Sequence, residues 1–264
     1  MLVLSKNKIK LIRSLERKKS RNEEGLFVAE GPKILEELLP KWTPVYIAAT
    51  QEWMDQNSPR LRDASTEFDV VRQEELERAS LLRTPQQVIA LFRIPTEQSS
   101  LAQQAANELC LALDGVQDPG NIGTIIRLAD WFGIQHVFCS HDTADIFSPK
   151  AIQATMGAIA RVHVHYLNLP DELRQCTAPI YGTHLDGDNI YDQSLSQHGI
   201  IVMGNEGKGV SKEVSQLVSK RLYIPPYPAH RDKVESLNVA IATAIVCAEF
   251  RRFGTKNGTQ MAQI

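Results

Sequence analysis

Three stretches in the second half of the chain place Gly, Asn, Ser and charged residues directly after short apolar runs. They read LDGVQDPGNIGTIIRLADWFG from Leu113, IVMGNEGKGVS from Ile201 and IPPYPAHRDKVESLNVAIATAI from Ile224. Each apolar run is typical of a β-strand, so the polar residues follow the predicted strand ends. Ligands of open α/β sheets bind beyond the carboxyl ends of the strands, and glycine lets a ligand approach the backbone closely. The three stretches therefore predict a ligand site.

Common cofactor and metal motifs do not explain these stretches. GNEGKGVS has Gly209 between the Lys and the Ser, whereas a P-loop needs the hydroxyl residue directly after the Lys. PGNIG lacks both the G-x-G-x-x-G spacing and the acidic residue about twenty positions later that dinucleotide binding requires. His163 and His165 share one face of a predicted strand, but Arg161 and the neighbouring valines indicate a half-exposed edge strand. We predict no metal site.

The composition is that of an ordinary globular protein. The chain has 264 residues, of which 43% are hydrophobic and 23% charged, enough for about one or two domains with their own cores. No apolar run approaches the roughly 20 residues of a membrane span, and the basic N-terminus is unlike a signal peptide, so we expect a cytoplasmic protein. The four cysteines are far apart and form no CxxC pair, which favours buried reduced thiols.

Positive charge is concentrated at the N-terminus. Residues 1–21 hold eight basic side chains and one acidic one, a net charge of +7, so the rest of the chain carries −9 of the total −2. This asymmetry predicts nucleic-acid binding, although a solvated, slightly basic helix would look the same. Ile9, Ile12 and Leu15 are spaced for one buried helix face. The candidate RNA-binding residues are Lys6, Lys8, Lys10, Arg13, Lys18, Lys19 and Arg21.

Strand and helix patterns divide the chain into two α/β blocks. We assign residues 1–95 to an N-terminal domain, residues 96–106 to a polar linker and residues 107–264 to a second domain. The second block alternates strands and helices, which predicts a parallel sheet covered on both faces. Its predicted strands are 109–113, 136–140, 162–167, 180–183, 200–203 and 221–224. Its predicted helices are 122–132, 149–157, 210–220 and 236–253, and the last is apolar all round its first half, as expected of a helix buried on more than one side.

The three stretches resemble, in order and spacing, the three motifs of the SpoU/TrmH family of RNA 2'-O-ribose methyltransferases. The matching segments are NIGTIIR from Asn121, GNEGKG from Gly204, and IP at Ile224 followed by ESLNVAIATAI. The N-terminal block also resembles the family's RNA-binding accessory domain, which has a ribosomal-protein-like α/β fold. One departure is the longer segment 225–234, PPYPAHRDKV, in place of a brief Gly-containing loop, and we expect it to border the cofactor pocket.

The resemblance implies a C-terminal α/β domain with a deep trefoil knot, S-adenosylmethionine as the cofactor, and a homodimer whose interface helps to complete the site. Knots are almost absent from protein folds, so the composition could not have indicated one. Position by position, the residues that match cofactor contacts are Thr183, Gly204, Ile224 and Leu237. The residues that match the catalytic constellation are Asn121, Arg127, Glu206, Ser236 and Asn238.

Methyl transfer to a ribose 2'-hydroxyl needs alignment of the oxygen, a route for its proton and stabilisation of developing negative charge. Arg127 could hold the phosphate beside the ribose and favour the alkoxide, or act as the general base as in some family mechanisms. A guanidinium stays protonated at ordinary pH, which weighs against the second role. Asn121 and Asn238 would supply amide hydrogen bonds, and Glu206 would hold Asn or backbone donors of the motif loop. Ser236 would cap the final helix and also contact the substrate.

Several functions stay open at the level of the sequence. The accessory domain favours large-subunit ribosomal RNA as the substrate over transfer RNA. A non-catalytic knotted RNA-binding protein in ribosome assembly is an alternative, although the polar motif residues are all present. A small-molecule enzyme with a nucleotide cofactor is another, but it would leave the basic N-terminus unexplained.

Overall fold

The computed structural model describes residues 3–57, 61, 66–228 and 236–256, and it describes residues 253–256 by their backbone alone. Up to residue 93 the elements are α1 (Lys6–Ser14), α2 (Lys18–Glu24), β1 (Leu26–Glu30), α3 (Pro32–Leu38), β2 (Tyr46–Ala49), α4 (Gln51–Asn57), β3 (Glu67–Val70), α5 (Gln73–Ala79) and β4 (Val88–Arg93). The remaining elements are α6 (Leu101–Asn107), β5 (Leu109–Asp114), α7 (Pro119–Trp131), β6 (His136–Ser140), α8 (Pro149–Thr155), β7 (His163–Leu167), α9 (Leu169–Arg174), β8 (Ile180–Asn189), β9 (Gly199–Gly204), α10 (Lys212–Ser215), β10 (Lys220–Tyr223) and α11 (Val239–Lys256).

The chain forms two compact units. The first contains Met1–Glu97 together with Asp145–Ala160, and the second contains Gln98–Ala144 with Arg161–Ile264. The break at residue 97 lies within the predicted linker, but two parts of the predicted division are wrong. Residues 149–157 were assigned to the second domain, yet α8 belongs to the first unit and packs against β1. Residues 101–106 of the predicted linker belong to α6, because Leu101 and Ala105 are buried in the core of the second unit.

The first unit is built on a four-stranded sheet in the order β1-β4-β2-β3. Strand β4 is antiparallel to both of its neighbours, and β2 and β3 are parallel. Ile12 and Leu15, which follow the predicted helix face, are fully buried in the core beside this sheet. Apolar burial of this kind contributes roughly 1.5–3 kcal/mol per side chain, so α1 is part of the folded unit.

The second unit has the predicted parallel α/β architecture. Its six strands lie in the order β10-β8-β9-β5-β6-β7, and every neighbouring pair is parallel. Strand β5 is buried along its whole length, as its continuous apolar run predicts. Strand β7 is an edge strand, as expected, with His163 exposed and His165 buried. The predicted knot stays a prediction, because residues 229–235 between β10 and α11 lie outside the described residues.

Some element boundaries in the second unit differ from the sequence-based expectation. Strand β8 extends to Asn189, well beyond residue 183. Helix α10 covers Lys212–Ser215 instead of 210–220, because Ser219 already pairs with Ile180 ahead of β10. Helix α9 was not predicted, since six residues are too few to show a helical period.

The cysteines are free, and burial raises the pKa of both Cys110 and Cys247 to about 12. None of the described helices is long and apolar enough to cross a membrane.

Candidate active site

The GNEGKG segment forms a tight turn at the carboxyl end of β9. The backbones of Asn205 and Gly209 exchange two hydrogen bonds of 2.9 Å, and Gly209 has a φ of +70°. A Cβ on Gly204 would lie 2.2 Å from the carbonyl carbon of Gly209, so only glycine fits there. The Asn205 side chain accepts hydrogen bonds from the N–H groups of Gly207 and Lys208 and donates to the carbonyl of Gly115 at 2.7 Å. The turn is therefore fixed from both sides.

The first motif lies at the start of α7, close to this turn. Asp118 is the N-cap, and its carboxylate accepts a hydrogen bond of 2.9 Å from the backbone N–H of Asn121. Pro119 occupies the first helical turn, where its missing N–H costs nothing. The Glu206 carboxylate accepts hydrogen bonds from the backbone N–H groups of Gln117 (3.3 Å) and Asp118 (3.4 Å). Glu206 thereby joins the second motif to the first.

Three of the predicted catalytic residues form one hydrogen-bonded chain. The Asn238 side-chain amide donates to Oδ1 of Asn121 at 3.0 Å, and the Asn121 amide donates to Oε1 of Glu206 at 2.9 Å. An ionised carboxylate can only accept hydrogen bonds, so Glu206 determines which way the Asn121 amide faces. The Asn238 amide is oriented from its other side, because its Oδ1 accepts from the N–H groups of Ala240 and Ile241. These hydrogen bonds join all three motifs.

The charge of Glu206 is favoured by its surroundings. Partial burial raises the pKa of Glu206, but hydrogen bonds from Asn121, from its own backbone and from Gln117 and Asp118 outweigh burial and lower the pKa below the usual glutamate value. The carboxylate is therefore ionised at neutral pH. Glu206 also lines a cavity, where it supplies a fixed negative charge.

A cavity of about 730 Å³ lies at the carboxyl ends of β9 and β10, beside residues 183–185 of β8. Its size is within the range of sites that hold drug-sized ligands, about 300–1,000 Å³. All four predicted cofactor residues, Thr183, Gly204, Ile224 and Leu237, line it, together with the predicted catalytic residues Glu206 and Ser236. Pro225 and Pro226 also line it, so the first part of the longer segment borders the cavity as expected, whereas residues 229–235 lie outside the described residues.

Ser236 does not have the helix-capping role that we expected. Helix α11 begins at Val239, and the side chain of Asn238 accepts hydrogen bonds from the backbone N–H groups of Ala240 and Ile241 in its first turn. Ser236 lies ahead of the helix and is exposed to solvent at the cavity. The prediction was wrong because both Ser and Asn are good N-caps, and only the position of the first helical turn decides between them.

Arg127 is separate from the other catalytic candidates. Its side chain is exposed, does not line the cavity and forms no hydrogen bond or ion pair with any residue that the structure describes. On a helix with 3.6 residues per turn it points roughly 120° away from Asn121. Four residues later on the same helix face, Trp131 is 83% exposed. Among the described residues, no contact joins Arg127 to Glu206.

The basic residues of the N-terminus differ in their surroundings. The ammonium group of Lys8 lies 2.6 Å from Glu67 and 4.1 Å from the centre of the Tyr46 ring, so it already has an anionic and an aromatic partner. The other exposed candidates are Lys6, Lys10, Arg13, Lys18 and Lys19.

Arg21 is wrongly predicted as an RNA-binding residue. It is only 2% exposed and its guanidinium forms an ion pair of 2.6 Å with Asp145. It also donates hydrogen bonds to the carbonyls of Leu15 and Glu16, which directly follow α1. Arg21 therefore holds its own unit together.

Two acidic or amide residues at the site were not singled out from the sequence. Asp114, at the end of β5, accepts a hydrogen bond of 2.6 Å from the N–H of Ser211 and so fixes the end of the second motif. Asn205 organises the turn as described above. Both lie within or next to the motif segments, and the signal that could have found them is their position directly after a buried strand.

Both halves of the chain match models of known protein families. Residues 108–248 match the model of the SpoU rRNA methylase family, and residues 6–90 match the model of the MRM3-like substrate binding domain. The 23S rRNA (guanosine(2553)-2'-O)-methyltransferase RlmP of Bacillus subtilis is 31% identical over 248 residues, which cover 92% of this chain and 96% of the relative.

Solved structures of similar proteins cover nearly the whole chain. The AdoMet-bound rRNA methyltransferase from Sinorhizobium meliloti has a TM-score of 0.83 and 30% identity, over 96% of this chain and 97% of that one. A TrmH-family protein from Porphyromonas gingivalis has a TM-score of 0.86 and 42% identity, over 95% and 99% of the two chains. Since the family model spans more than half of the sequence and includes all three motifs, this protein belongs to the SpoU rRNA methylase family.

Proposed function

We propose that this protein transfers a methyl group from S-adenosylmethionine to a ribose 2'-hydroxyl of large-subunit ribosomal RNA. The observation that carries the proposal is the cavity lined by the second and third motifs, together with the hydrogen bonds that join Asn121 of the first motif to Glu206 and Asn238. A cavity of this size accommodates the cofactor, and its strand-end position is where ligands of parallel sheets bind. The RlmP relative is named as a ribose methyltransferase of 23S rRNA, which supports the choice of RNA.

Backbone groups and apolar side chains of this chain would hold the cofactor. Gly204 ends β9, Ile224 follows β10, and Leu237 precedes α11, so their main chains meet at the cavity. S-adenosylmethionine would supply a methyl group on a positively charged sulfur: the ribose oxygen would bond to the methyl carbon as the C–S bond breaks, and neutral S-adenosylhomocysteine would leave. The ionised carboxylate of Glu206 at the cavity wall favours a cation there.

The 2'-hydroxyl would release its proton to solvent water as the new bond to carbon forms. Amide groups of Asn121 and Asn238 are held in fixed orientations and can position the ribose without cost at the moment of reaction. Arg127 would bind the phosphate next to the target ribose and stabilise the developing alkoxide. We favour this role over that of general base, because a guanidinium does not release its proton at ordinary pH.

A homodimer explains how Arg127 reaches the site. Arg127 and Trp131 are exposed on the same face of α7, and Ile241 on α11 is 55% exposed although α11 packs against α7. A tryptophan exposed to this degree is unusual on a monomer surface and is typical of protein interfaces. In our proposal this face meets its counterpart in a second subunit, and each Arg127 serves the cavity of the partner subunit.

The first unit is proposed to bind the RNA around the target nucleotide. Its exposed lysines on α1 and α2 are suited to phosphate contacts, whereas Arg21 is not available. Deleting residues 1–21 would not test this, because Ile12 and Leu15 belong to the core. Point substitutions at the surface are needed.

Replacing Lys6, Lys10 and Lys19 together with alanine should weaken RNA binding at low salt and reduce the dependence of affinity on salt. Each lost phosphate contact lowers the slope of log K against log salt concentration by about 0.7–0.9, so three contacts correspond to roughly 2–3 units. Filter binding to ribosomal RNA fragments over a range of salt concentrations would measure it. Replacing Lys212, which lies on α10 in the other unit, with alanine is the control. An unchanged slope in the triple variant would exclude this surface.

The RNA class is tested by labelling. Purified protein is incubated with S-[methyl-³H]adenosylmethionine and, separately, unmethylated ribosomal RNA, ribosomal subunits and transfer RNA. We expect label in large-subunit ribosomal RNA, in a nucleotide that resists alkaline hydrolysis on its 3' side because the 2'-oxygen is blocked. Label in transfer RNA alone would favour the tRNA enzyme, and binding of RNA without any transfer would favour the non-catalytic alternative.

The proposed place of action is the cytoplasm.

A further inference from the structure

Strand β8 contains an irregular segment where it pairs with the edge strand β10. Tyr181 and Gly182 pair with Lys220 and Arg221 of β10, and the next residue of β10, Leu222, pairs with Asp188. Residues 183–187 therefore leave the ladder between two consecutive residues of β10, and we call them the 183–187 bulge. Bulges of this kind often direct side chains towards functional sites.

The bulge forms one wall of the cofactor cavity. Thr183, His184 and Leu185 line the cavity, and Leu185 is 70% exposed. The fixed turn of the second motif, which contains Gly204 and Glu206, also lines the cavity. The width of the cavity thus depends on where the bulge is held relative to the sheet.

Two contacts hold the C-terminal half of the bulge against β10. Asp186 forms an ion pair with Arg221, with 2.8 Å between Oδ2 and Nη1, and Arg221 also donates to the hydroxyl of Ser215. Gly187 lies directly on the β10 backbone, because a Cβ there would be 2.8 Å from the carbonyl carbons of Arg221 and Leu222. Backbone atoms in a paired strand cannot move aside as a flexible side chain can.

The anchors themselves do not line the cavity. Asp186, Gly187 and Arg221 are absent from its lining, while their neighbours 183–185 form part of it. The ion pair is solvent-exposed, with 70% and 45% of the two side chains accessible. Exposed pairs contribute little to overall stability, so their loss can change the position of the bulge without unfolding the protein.

We propose that Asp186, Gly187 and Arg221 are positioning residues for cofactor binding, which hold the 183–187 bulge at the distance that the cofactor requires. This inference rests on the proposed function, since it assumes that S-adenosylmethionine occupies the cavity. The mechanism is indirect, because none of the three needs to touch the cofactor. It predicts an effect on affinity for the cofactor without a matching effect on folding.

The test is calorimetric titration with S-adenosylhomocysteine, the demethylated product, together with thermal denaturation of each variant. Asp186→Ala and Arg221→Ala should raise the Kd about two- to fivefold, the range that an exposed ion pair can supply, and Arg221→Lys should restore it. Gly187→Ala should raise the Kd at least about tenfold, because the bulge must move off β10. Melting temperatures of the ion-pair variants should stay within about 2 °C of the wild type.

Arg174→Ala is the matched control. Arg174 is also an exposed arginine of the second unit in ion pairs, with Asp171 and Glu213, but it lies away from the cavity. Its loss should leave the Kd unchanged. Wild-type affinity in the Asp186, Arg221 and Gly187 variants, or an equal loss in Arg174→Ala, would overturn the positioning role while leaving the cofactor assignment intact. A flat titration of the wild type would overturn the cofactor assignment and this inference with it.

Discussion

Replacing Arg127 with alanine is expected to lower the rate constant of methyl transfer to RNA by roughly 10²–10³-fold, the usual loss when one oriented donor to a developing anion is removed. The Kd for S-adenosylmethionine should change by less than about threefold, because Arg127 is not among the residues that line the cavity. Single-turnover kinetics with saturating RNA would measure the first quantity, and calorimetry the second. A variant that methylates RNA at the wild-type rate would exclude the proposed role.

Arg127→Lys and Arg174→Ala are useful controls for this prediction. Lysine keeps the positive charge but loses the planar pair of donors that suits a phosphate, so Arg127→Lys should have intermediate activity. Arg174→Ala removes a positive charge from the same unit, away from the cavity, and should leave the transfer rate unchanged.

Mixing two inactive variants tests whether Arg127 acts across the dimer. If each site combines Glu206 of one subunit with Arg127 of the other, a mixed dimer of the Arg127→Ala and Glu206→Gln chains has one intact site. Random exchange would then restore about a quarter of the wild-type activity, because half of the dimers are mixed and each has one working site of two. No recovery after exchange would place Arg127 at the site of its own subunit.

Replacing Glu206 with glutamine is expected to reduce methyl transfer by roughly 10²-fold, as found when a fixed polar group of an active site is misaligned. Glu206 accepts hydrogen bonds from the Asn121 amide and from the backbones of Gln117 and Asp118. A glutamine amide would direct its own NH₂ group at one of these donors. Asn121 would then turn or lose its partner, and the contact with Asn238 would be broken. Steady-state kinetics and a crystal structure of the variant would show both effects.

The same substitution should change how stability depends on pH. The pKa of Glu206 is lower in the folded protein than its ordinary value, so its contribution to stability is present above the ordinary glutamate pKa and is lost as the pH falls through the folded value. Thermal denaturation of Glu206→Gln should therefore show a weaker loss of stability on acidification than the wild type. Glu213→Gln, an exposed carboxylate of α10 outside the cavity, is the control. Identical pH profiles for the wild type and Glu206→Gln would contradict the stabilised charge.

Much of the site could be predicted because its residues are close to strand ends. Gly204 and Ile224 follow apolar runs that form β9 and β10, and strand-end position is a local property of the sequence. The approximate strands of the parallel sheet were predicted for the same reason, since a buried strand needs a continuous apolar run. Short or irregular elements such as α9 and the 183–187 bulge leave no such period, and they were missed.

Errors arose where a side chain could serve two purposes. Arg21 has the same charge as its exposed neighbours, and only its contact with Asp145, far along the chain, makes it a structural residue. Ser236 and Asn238 are both able to cap a helix, and the start of α11 at Val239 decides between them. Charge and capping tendency are properties of a residue type, whereas burial and partner are properties of the fold.

The amino-acid sequence by itself determined the class of the fold, the three motif segments and the residue types that the reaction needs. It did so because apolar periodicity and the placement of glycine and asparagine at strand ends are local in the chain. The tertiary structure alone decided that Asn238, Asn121 and Glu206 form one hydrogen-bonded chain, that Asp186 and Arg221 pair beside a bulge at the cavity wall, and that Arg127 does not line the cavity. These features join residues far apart in the sequence, and their distances follow from packing, which no local pattern encodes.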